Sequence, residues 1–214
     1  MRVVIADDNL LVRKGIVALL EEAGIEVSAQ VESGEDVVRA VAEHEPDVAI
    51  VDVRMPPTQT DEGLRAAHEI RARHPTTAIV VLSQHVEFGV ATRVLAERPE
   101  RLGYLLKDRV TDVDDFVGTL RRVAGGGTAL DPEVVSRLLA SDGENGPLRA
   151  LTPREREVLQ LLGEGLSNPA IAERLGITLR SAEKHVSSVF SKLRLPDTGN
   201  ENRRVLAVLT LLRG

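Results

Sequence analysis

Short apolar runs alternate with amphipathic stretches over the first 125 residues of the chain. The runs are rich in β-branched residues, and the stretches between them carry apolar side chains at helical spacing. In the first stretch, for example, Ile16, Leu20 and Ala23 share one face. Strands that alternate with helices in this way predict an α/β domain, with a five-stranded parallel sheet covered by helices on both faces. The predicted strands are Arg2–Ala6, Glu26–Val31, Asp47–Asp52, Ala78–Leu82 and Leu102–Leu106, and the predicted helices are Leu11–Ala23, Glu35–Glu43, Asp61–Arg73, Phe88–Glu97 and Val113–Val123.

Three consecutive glycines, Gly125 to Gly127, end this alternation. A possible short helix, Pro132–Leu139, follows them. The next residues, 141–147, are a string of polar residues, Gly and Pro, which indicates a linker with little surface to bury. We therefore predict a first domain at 1–125, a linker at 126–147 and a second domain at 148–214.

The second domain is predicted to contain helices alone. Thr152, Pro153 and Glu155 supply a helix N-cap, a proline at the first helical position and a capping-box glutamate. This first helix is expected to reach about Glu164. The helices expected after it are Asn168–Leu175, a helix capped by Thr178 that reaches about Leu193, and a last helix that ends near Leu212.

The two predicted domains differ in charge. Residues 147–214 contain 11 Lys and Arg against 7 Asp and Glu, a net charge of +4, whereas residues 1–146 have a net charge of −10. A basic domain joined to an acidic one indicates nucleic-acid binding by the basic part, although unevenly solvated surfaces give the same split.

The composition also limits the class of protein. The absence of cysteine excludes disulfides and thiolate metal sites. The longest apolar run near the C-terminus, Val205 to Leu212, is far shorter than the roughly 20 residues that a membrane span needs. The first residues run directly into charge, unlike a signal peptide. We expect a soluble, cytoplasmic protein.

Polar side chains occur where four of the predicted strands end. Because the carboxyl ends of parallel strands meet at one edge of a sheet, we expect three carboxylates, a hydroxyl and an ammonium group to lie together there. They belong to Asp7, Asp8, Asp52, Ser83 and Lys107. Packed carboxylates repel one another unless a cation joins them, and an all-oxygen cluster suits Mg²⁺. A phosphoryl group on Asp52 would then meet Mg²⁺, an ammonium and a hydroxyl. Any one of these residues alone is more simply explained as a turn former or a solvated charge.

Four sequence blocks resemble the receiver domains of bacterial response regulators: DDNLLVRKGI, DVRMPPT, LSQH and GYLLKD. The resemblance covers about residues 1–125 and implies a flavodoxin-like, doubly wound sheet. It also implies that Asp52 is the phosphoacceptor, and that Ser83 and Lys107 contact the phosphoryl group. The implied Mg²⁺ ligands are Asp7, Asp8, Asp52 and the backbone carbonyl of Arg54.

Tyr104 corresponds to the family's switch aromatic, although a plain half-buried strand residue is an equal alternative. The loop Pro57–Glu62 is longer than the family pattern.

The third helix of the second domain combines an apolar stripe with a polar face. A helix held by one face and polar on the other suits the major groove of DNA, but an ordinary solvated face gives the same pattern. The stretch from Leu151 to Leu193 resembles the LuxR-type DNA-binding domain of the NarL/FixJ response regulators. By position, the residues implied at the groove are Arg180, Glu183, Lys184 and Ser187, and those implied at phosphates are Ser181 and Lys192.

The two resemblances together imply a two-component response regulator and not an enzyme. A partner sensor histidine kinase would phosphorylate Asp52, and this would control homodimerisation and binding to double-stranded DNA. Two alternatives stay open: an aspartate-nucleophile phosphohydrolase of the same sheet type, and a regulator whose receiver only dimerises and is never phosphorylated.

Overall fold

The computed structural model describes residues 1–85, 100–141, 147–195 and 203–213. The chain divides into two compact units. The described residues of the first are 1–85 and 100–129, and those of the second are 130–141, 147–195 and 203–213. None of the helices in these ranges has the length and apolar character needed to cross a membrane.

The first unit contains a parallel sheet. Its strands are β1 (Arg2–Ala6), β2 (Glu26–Val31), β3 (Val48–Asp52), β4 (Ala78–Ser83), β5 (Leu102–Leu106) and β6 (Thr128–Leu130). They lie in the order β2-β1-β3-β4-β5-β6, and each neighbouring pair from β2 to β5 is parallel. This is the doubly wound order of flavodoxin, so the predicted fold class is confirmed.

The predicted number of strands is wrong, because the sheet has six strands and not five. The additional strand, β6, has three residues and follows directly after the three glycines. A run of three residues is too short to show a period of two, and the glycines before it indicate only that a regular element has ended.

Helices connect the strands and bury an apolar face against the sheet. They are α1 (Leu10–Glu22), α2 (Gly34–His44), α3 (Glu62–Arg73) and α4 (Val113–Ala124), each within one residue of its predicted bounds. The predicted helix Phe88–Glu97 lies outside the described residues. Every residue of β3 and β4 is buried, which explains the continuous apolar runs of these central strands.

The second unit contains five α-helices in its described residues. They are α5 (Pro132–Ser141), α6 (Pro153–Gly163), α7 (Asn168–Leu175), α8 (Leu179–Lys192) and α9 (Arg203–Arg213). The predicted capping box is present: the Thr152 side chain accepts a hydrogen bond from the Glu155 N–H, and the Glu155 carboxylate accepts one from the Thr152 N–H at 2.7 Å. Gly176, with a φ of +61°, ends α7 in the left-handed conformation that favours glycine.

The segment predicted as a linker is partly folded. α5 packs against α6, and its residues Val134 and Val135 are fully buried. The compact second unit accordingly starts at residue 130, ahead of the predicted limit at 148. α5 is the possible short helix predicted at Pro132–Leu139, and it continues for two more residues to Ser141.

Gly63 allows α3 to begin directly against the end of β3. Its N–H donates a hydrogen bond to the Val53 carbonyl at 3.0 Å. A Cβ at this position would lie 1.7 Å from the carbonyl oxygen of Asp52, which no side chain can accommodate. The start of α3 is therefore fixed by the one residue type that has no Cβ.

We predict that Gly63→Ala destabilises the first unit by about 1–3 kcal/mol or more, because the backbone of β3 or α3 must move. Gly118→Ala is the matched control, since a Cβ there meets nothing within 4 Å. In the interior of α4 that change is expected to be neutral or to stabilise by up to about 1 kcal/mol. Urea unfolding followed by circular dichroism measures both, and equal midpoints for the two variants would contradict the close approach.

Candidate functional site

Three carboxylates meet at the carboxyl edge of the sheet. Asp7 and Asp8 follow β1, and Asp52 ends β3, which pairs with β1 in register. One carboxylate oxygen from each residue lies within 4.8 Å of the others. Asp7 and Asp52 are buried, whereas Asp8 is partly exposed. Three of the residues expected to meet at this edge, the aspartates, are thus brought together.

Lys107 joins the two buried carboxylates. Its Nζ lies 2.7 Å from Asp52 Oδ2 and 2.8 Å from Asp7 Oδ2. Burial raises the pKa of Asp52; the hydrogen bond from Lys107 opposes this, and the charge of Asp7 adds to it. Burial by itself would lower the pKa of Lys107, but the two carboxylates outweigh it and raise that pKa. One ammonium therefore stays charged beside an excess of buried negative charge.

The carboxylate of Asp7 is a suitable ligand for a hard divalent cation. Asp7 Oδ1 accepts a hydrogen bond from the Asn9 N–H at 2.9 Å. Its buried Oδ2 lies 2.8 Å from Lys107 Nζ, and no other group in the described part of the chain donates a hydrogen bond to it. A buried oxygen of this kind beside two further carboxylates matches the all-oxygen ligand sets of magnesium-type ions.

The backbone after β3 also contacts the cluster. The Arg54 N–H donates a hydrogen bond to Asp52, which lowers the pKa of that carboxyl against the effect of burial. The metal-ligand role of the Arg54 carbonyl stays a prediction.

Ser83 and Tyr104 share one backbone acceptor. Ser83 ends β4 and its Oγ donates to the His85 carbonyl at 2.7 Å. The Tyr104 hydroxyl, on β5, donates to the same carbonyl at 3.4 Å, and the tyrosine is only 1% exposed. The two hydroxyl groups thus meet at the His85 carbonyl. The switch roles of both residues stay predictions.

Arg13 contacts the backbone of Asp7, and the sequence alone did not identify it as part of the site. It lies on α1, is 5% exposed, donates a hydrogen bond to the Asp7 carbonyl and forms an ion pair with Glu32 at 2.5 Å. It precedes Ile16 by three residues and Leu20 by seven, so it lies on the buried stripe of α1. A charged residue on that stripe was the available signal, because a buried charge requires partners.

The long loop after β3 is organised around a buried carboxylate. Glu62, 7% exposed, accepts hydrogen bonds from the Thr58 N–H at 3.1 Å, the Thr60 N–H at 2.9 Å and the Thr58 hydroxyl. The hydrogen bond from the Thr58 hydroxyl, helped by the backbone N–H groups of Thr60, Glu62 and Thr58, lowers the pKa of Glu62 to about 2. From this loop, Gln59 Nε2 donates a hydrogen bond to Asp8 Oδ2 at 2.7 Å. The extra length of the loop was visible in the sequence, but these contacts were not.

In the second unit, α8 has one buried and one exposed face. The buried residues are Ala182, Val186, Val189 and Phe190. The residues expected at the DNA groove are all exposed: Arg180, Glu183, Lys184 and Ser187. Leu179, which opens the helix, is 45% exposed and was not singled out from the sequence. α8 thus presents a polar surface that is held in place by its apolar side.

The two residues expected at phosphates have partners within the protein. Ser181 lies in the first turn of α8, and its N–H donates to Oγ1 of the N-cap residue Thr178 at 3.2 Å. Lys192 Nζ lies 2.6 Å from Glu155 Oε2, and the Ser188 hydroxyl donates to the other carboxylate oxygen at 2.7 Å. The phosphate contacts of Ser181 and Lys192 stay predictions.

Glu155 is the acceptor that joins α8 to the start of α6. It is 5% exposed. Burial raises its pKa, but hydrogen bonds from Lys192, the Thr152 backbone and Ser188 outweigh this effect and lower the pKa to about 2. The capping-box glutamate was predicted only as a helix signal, and its cross-helix role follows from the packing of α6 against α8.

Comparison with protein families gives two matches, one for each unit. The model of the response regulator receiver domain matches residues 3–113. The model of bacterial regulatory proteins of the luxR family matches residues 149–208.

Similar proteins match along the whole chain. The transcriptional regulatory protein DegU of Brevibacillus brevis is 34% identical over 217 residues, which cover 92% of this chain and 89% of DegU. A structure of two RcsB dimers bound to two parallel DNAs has a TM-score of 0.54 and 28% identity, covering 100% of this chain and 98% of that chain. A structure of RcsB from Salmonella enterica serovar Typhimurium, bound to promoter rprA in the presence of phosphomimetic BeF3-, has a TM-score of 0.51 and 28% sequence identity. It covers 100% of this chain and 98% of that chain.

Proposed function

Because this chain belongs to the NarL/FixJ family of two-component response regulators, which join a receiver domain to a LuxR-type DNA-binding domain, we propose that phosphorylation of Asp52 controls DNA binding by α8. The observation that carries this proposal is the contact of Lys107 Nζ with both Asp52 and Asp7. It supplies a fixed positive charge beside a buried carboxylate nucleophile. The phosphoryl donor would be a partner sensor histidine kinase.

In the reaction, a carboxylate oxygen of Asp52 forms a bond to phosphorus while the bond between phosphorus and the donor histidine breaks, and the histidine nitrogen keeps the electron pair. Lys107 neutralises charge on the transferred group, and the burial of Asp52 limits access of water to it. Mg²⁺, held by Asp7, Asp8, Asp52 and the Arg54 carbonyl, would neutralise further negative charge on the phosphoryl oxygens.

The signal would leave the site through Ser83 and Tyr104. We propose that Ser83 Oγ exchanges the His85 carbonyl for a phosphoryl oxygen, and that Tyr104 then changes its own contact with this carbonyl. The shared acceptor supports this coupling, because the hydroxyl groups of Ser83 and Tyr104 both donate to the His85 carbonyl.

The output is proposed to be sequence-specific binding of double-stranded DNA by a homodimer in the cytoplasm. Arg180, Glu183, Lys184 and Ser187 would face the major groove. The exposure of all four on one side of α8 supports this role, as do the DNA-bound dimers of RcsB. We propose regulation and not phosphohydrolase activity, because the relatives are transcriptional regulators.

We predict that Asp52→Asn abolishes phosphorylation by acetyl phosphate, because the amide keeps the shape of the side chain but is not a nucleophile. EDTA is expected to block phosphorylation of the unaltered chain by removing Mg²⁺. Intact-protein mass spectrometry measures the phosphoryl adduct. An equal adduct on the variant would assign the phosphoacceptor elsewhere, and the absence of any adduct on the unaltered chain with Mg²⁺ would favour a receiver that only dimerises.

We predict that Lys184→Ala weakens specific binding and relaxes base preference by about 1–3 kcal/mol, because an exposed ammonium at the groove donates to a base edge. Lys14→Ala, at an exposed position of α1, removes the same charge from the first unit and is the control. Titration of specific and scrambled duplexes at several salt concentrations measures both. A uniform loss of affinity on all duplexes, with discrimination unchanged, would move Lys184 from the bases to the phosphates.

A further inference from the structure

The loop between β3 and α3 is held in one conformation from both of its ends. Its first part is tied to the core, because the Gln59 N–H donates to the carbonyl of the fully buried Met55 at 3.0 Å. Its last part is tied to Glu62, whose carboxylate accepts the hydrogen bonds of Thr58 and Thr60. Since the pKa of Glu62 is about 2, this carboxylate stays charged at neutral pH and keeps accepting them.

At the centre of this loop, Gln59 adopts a conformation that most side chains avoid. Its φ is +58°, in the left-handed region where non-glycine residues are uncommon. Such a conformation persists when the surrounding structure determines it, and it is common at functional sites. Here the surrounding hydrogen bonds determine it.

The side chain of Gln59 reaches the one partly exposed carboxylate of the acidic cluster. Gln59 Nε2 donates to Asp8 Oδ2 at 2.7 Å, across 51 positions of sequence. Asp7 and Asp52 are fixed by burial and by Lys107, but Asp8 has neither support. The amide uses one lone pair of one oxygen and leaves the rest of the carboxylate available. A neutral donor also orients Asp8 without adding a positive charge that would repel a cation.

We propose that Gln59 is a positioning residue of the metal site: its side-chain amide orients the Asp8 carboxylate for a divalent cation of the magnesium type. This inference rests on the proposed function, since it takes the acidic cluster to be the cation site. Outer partners of this kind commonly set metal affinity through the ligand that they orient. Glu62 does not contact Asp8 directly; it accepts hydrogen bonds from the loop and so fixes the position of Gln59.

The test measures cation binding by the full chain in the absence of any phosphodonor. Mn²⁺ is the probe, because the electron paramagnetic resonance signal of the free ion reports binding directly, and Mg²⁺ competes for the same site. Gln59→Ala is expected to raise the Kd by about 10-fold. Gln30→Ala is the matched control, since it makes the same change at an exposed position of β2, and it is expected to leave the Kd unchanged.

Two further variants separate the possible outcomes. Asp8→Asn is expected to abolish binding at this site; retained binding would overturn the metal site itself. If Asp8 is required but Gln59→Ala binds Mn²⁺ equally well or more tightly, the metal site stands and the role of Gln59 is overturned. Glu62→Gln is expected to weaken binding in the unaltered chain but to add nothing to Gln59→Ala, and an additive loss would contradict its action through Gln59.

Discussion

A single ammonium group, that of Lys107, holds two buried carboxylates at the carboxyl edge of the sheet. Without it, Asp7 and Asp52 would place like charges in a poorly solvated site, which costs free energy of folding. The sheet of the first unit positions all three residues. Parallel pairing of β1 with β3 brings the two aspartates together, and Lys107 directly follows β5. Even with Lys107, negative charge is in excess, and that excess suits a cation and a phosphoryl group.

The second unit also depends on a buried charged group, but this group is an anion with a full set of hydrogen-bond partners. Glu155 is a buried anion that is fully compensated by Lys192, Ser188 and the Thr152 backbone. Because its charge is satisfied, this site fixes α8 against α6 and leaves no demand for a ligand. The cluster around Asp52 is under-compensated and is suited to reaction, whereas that around Glu155 is compensated and suited to support. The balance of charge, and not burial alone, separates the two.

Sequence patterns predicted the elements that have strong periodicity or capping signals. The five long strands, the helices on the sheet and the capping box of α6 follow from local rules, and the residues at strand ends follow from parallel pairing. Other features depend on contacts distant in sequence. The Arg13–Glu32 pair joins α1 to the residue after β2, Gln59 meets Asp8 across 51 positions, and Lys192 meets Glu155 across 37. The strand β6 was missed for a different reason, because its three residues are too few to show the alternation of a strand.

The excess negative charge at Asp52 is tested most directly by thermal unfolding of Asp52→Asn beside the unaltered chain. Burial raises the folded-state pKa of Asp52 above its ordinary value, so its ionised form costs stability as the pH rises through that range. At pH 7 without Mg²⁺ we expect a higher melting temperature for the variant. This advantage should shrink as the pH falls toward the ordinary pKa of an aspartate, and Mg²⁺ should reduce it by stabilising only the unaltered chain. A lower melting temperature for the variant at pH 7, with no effect of Mg²⁺ on either protein, would contradict this expectation.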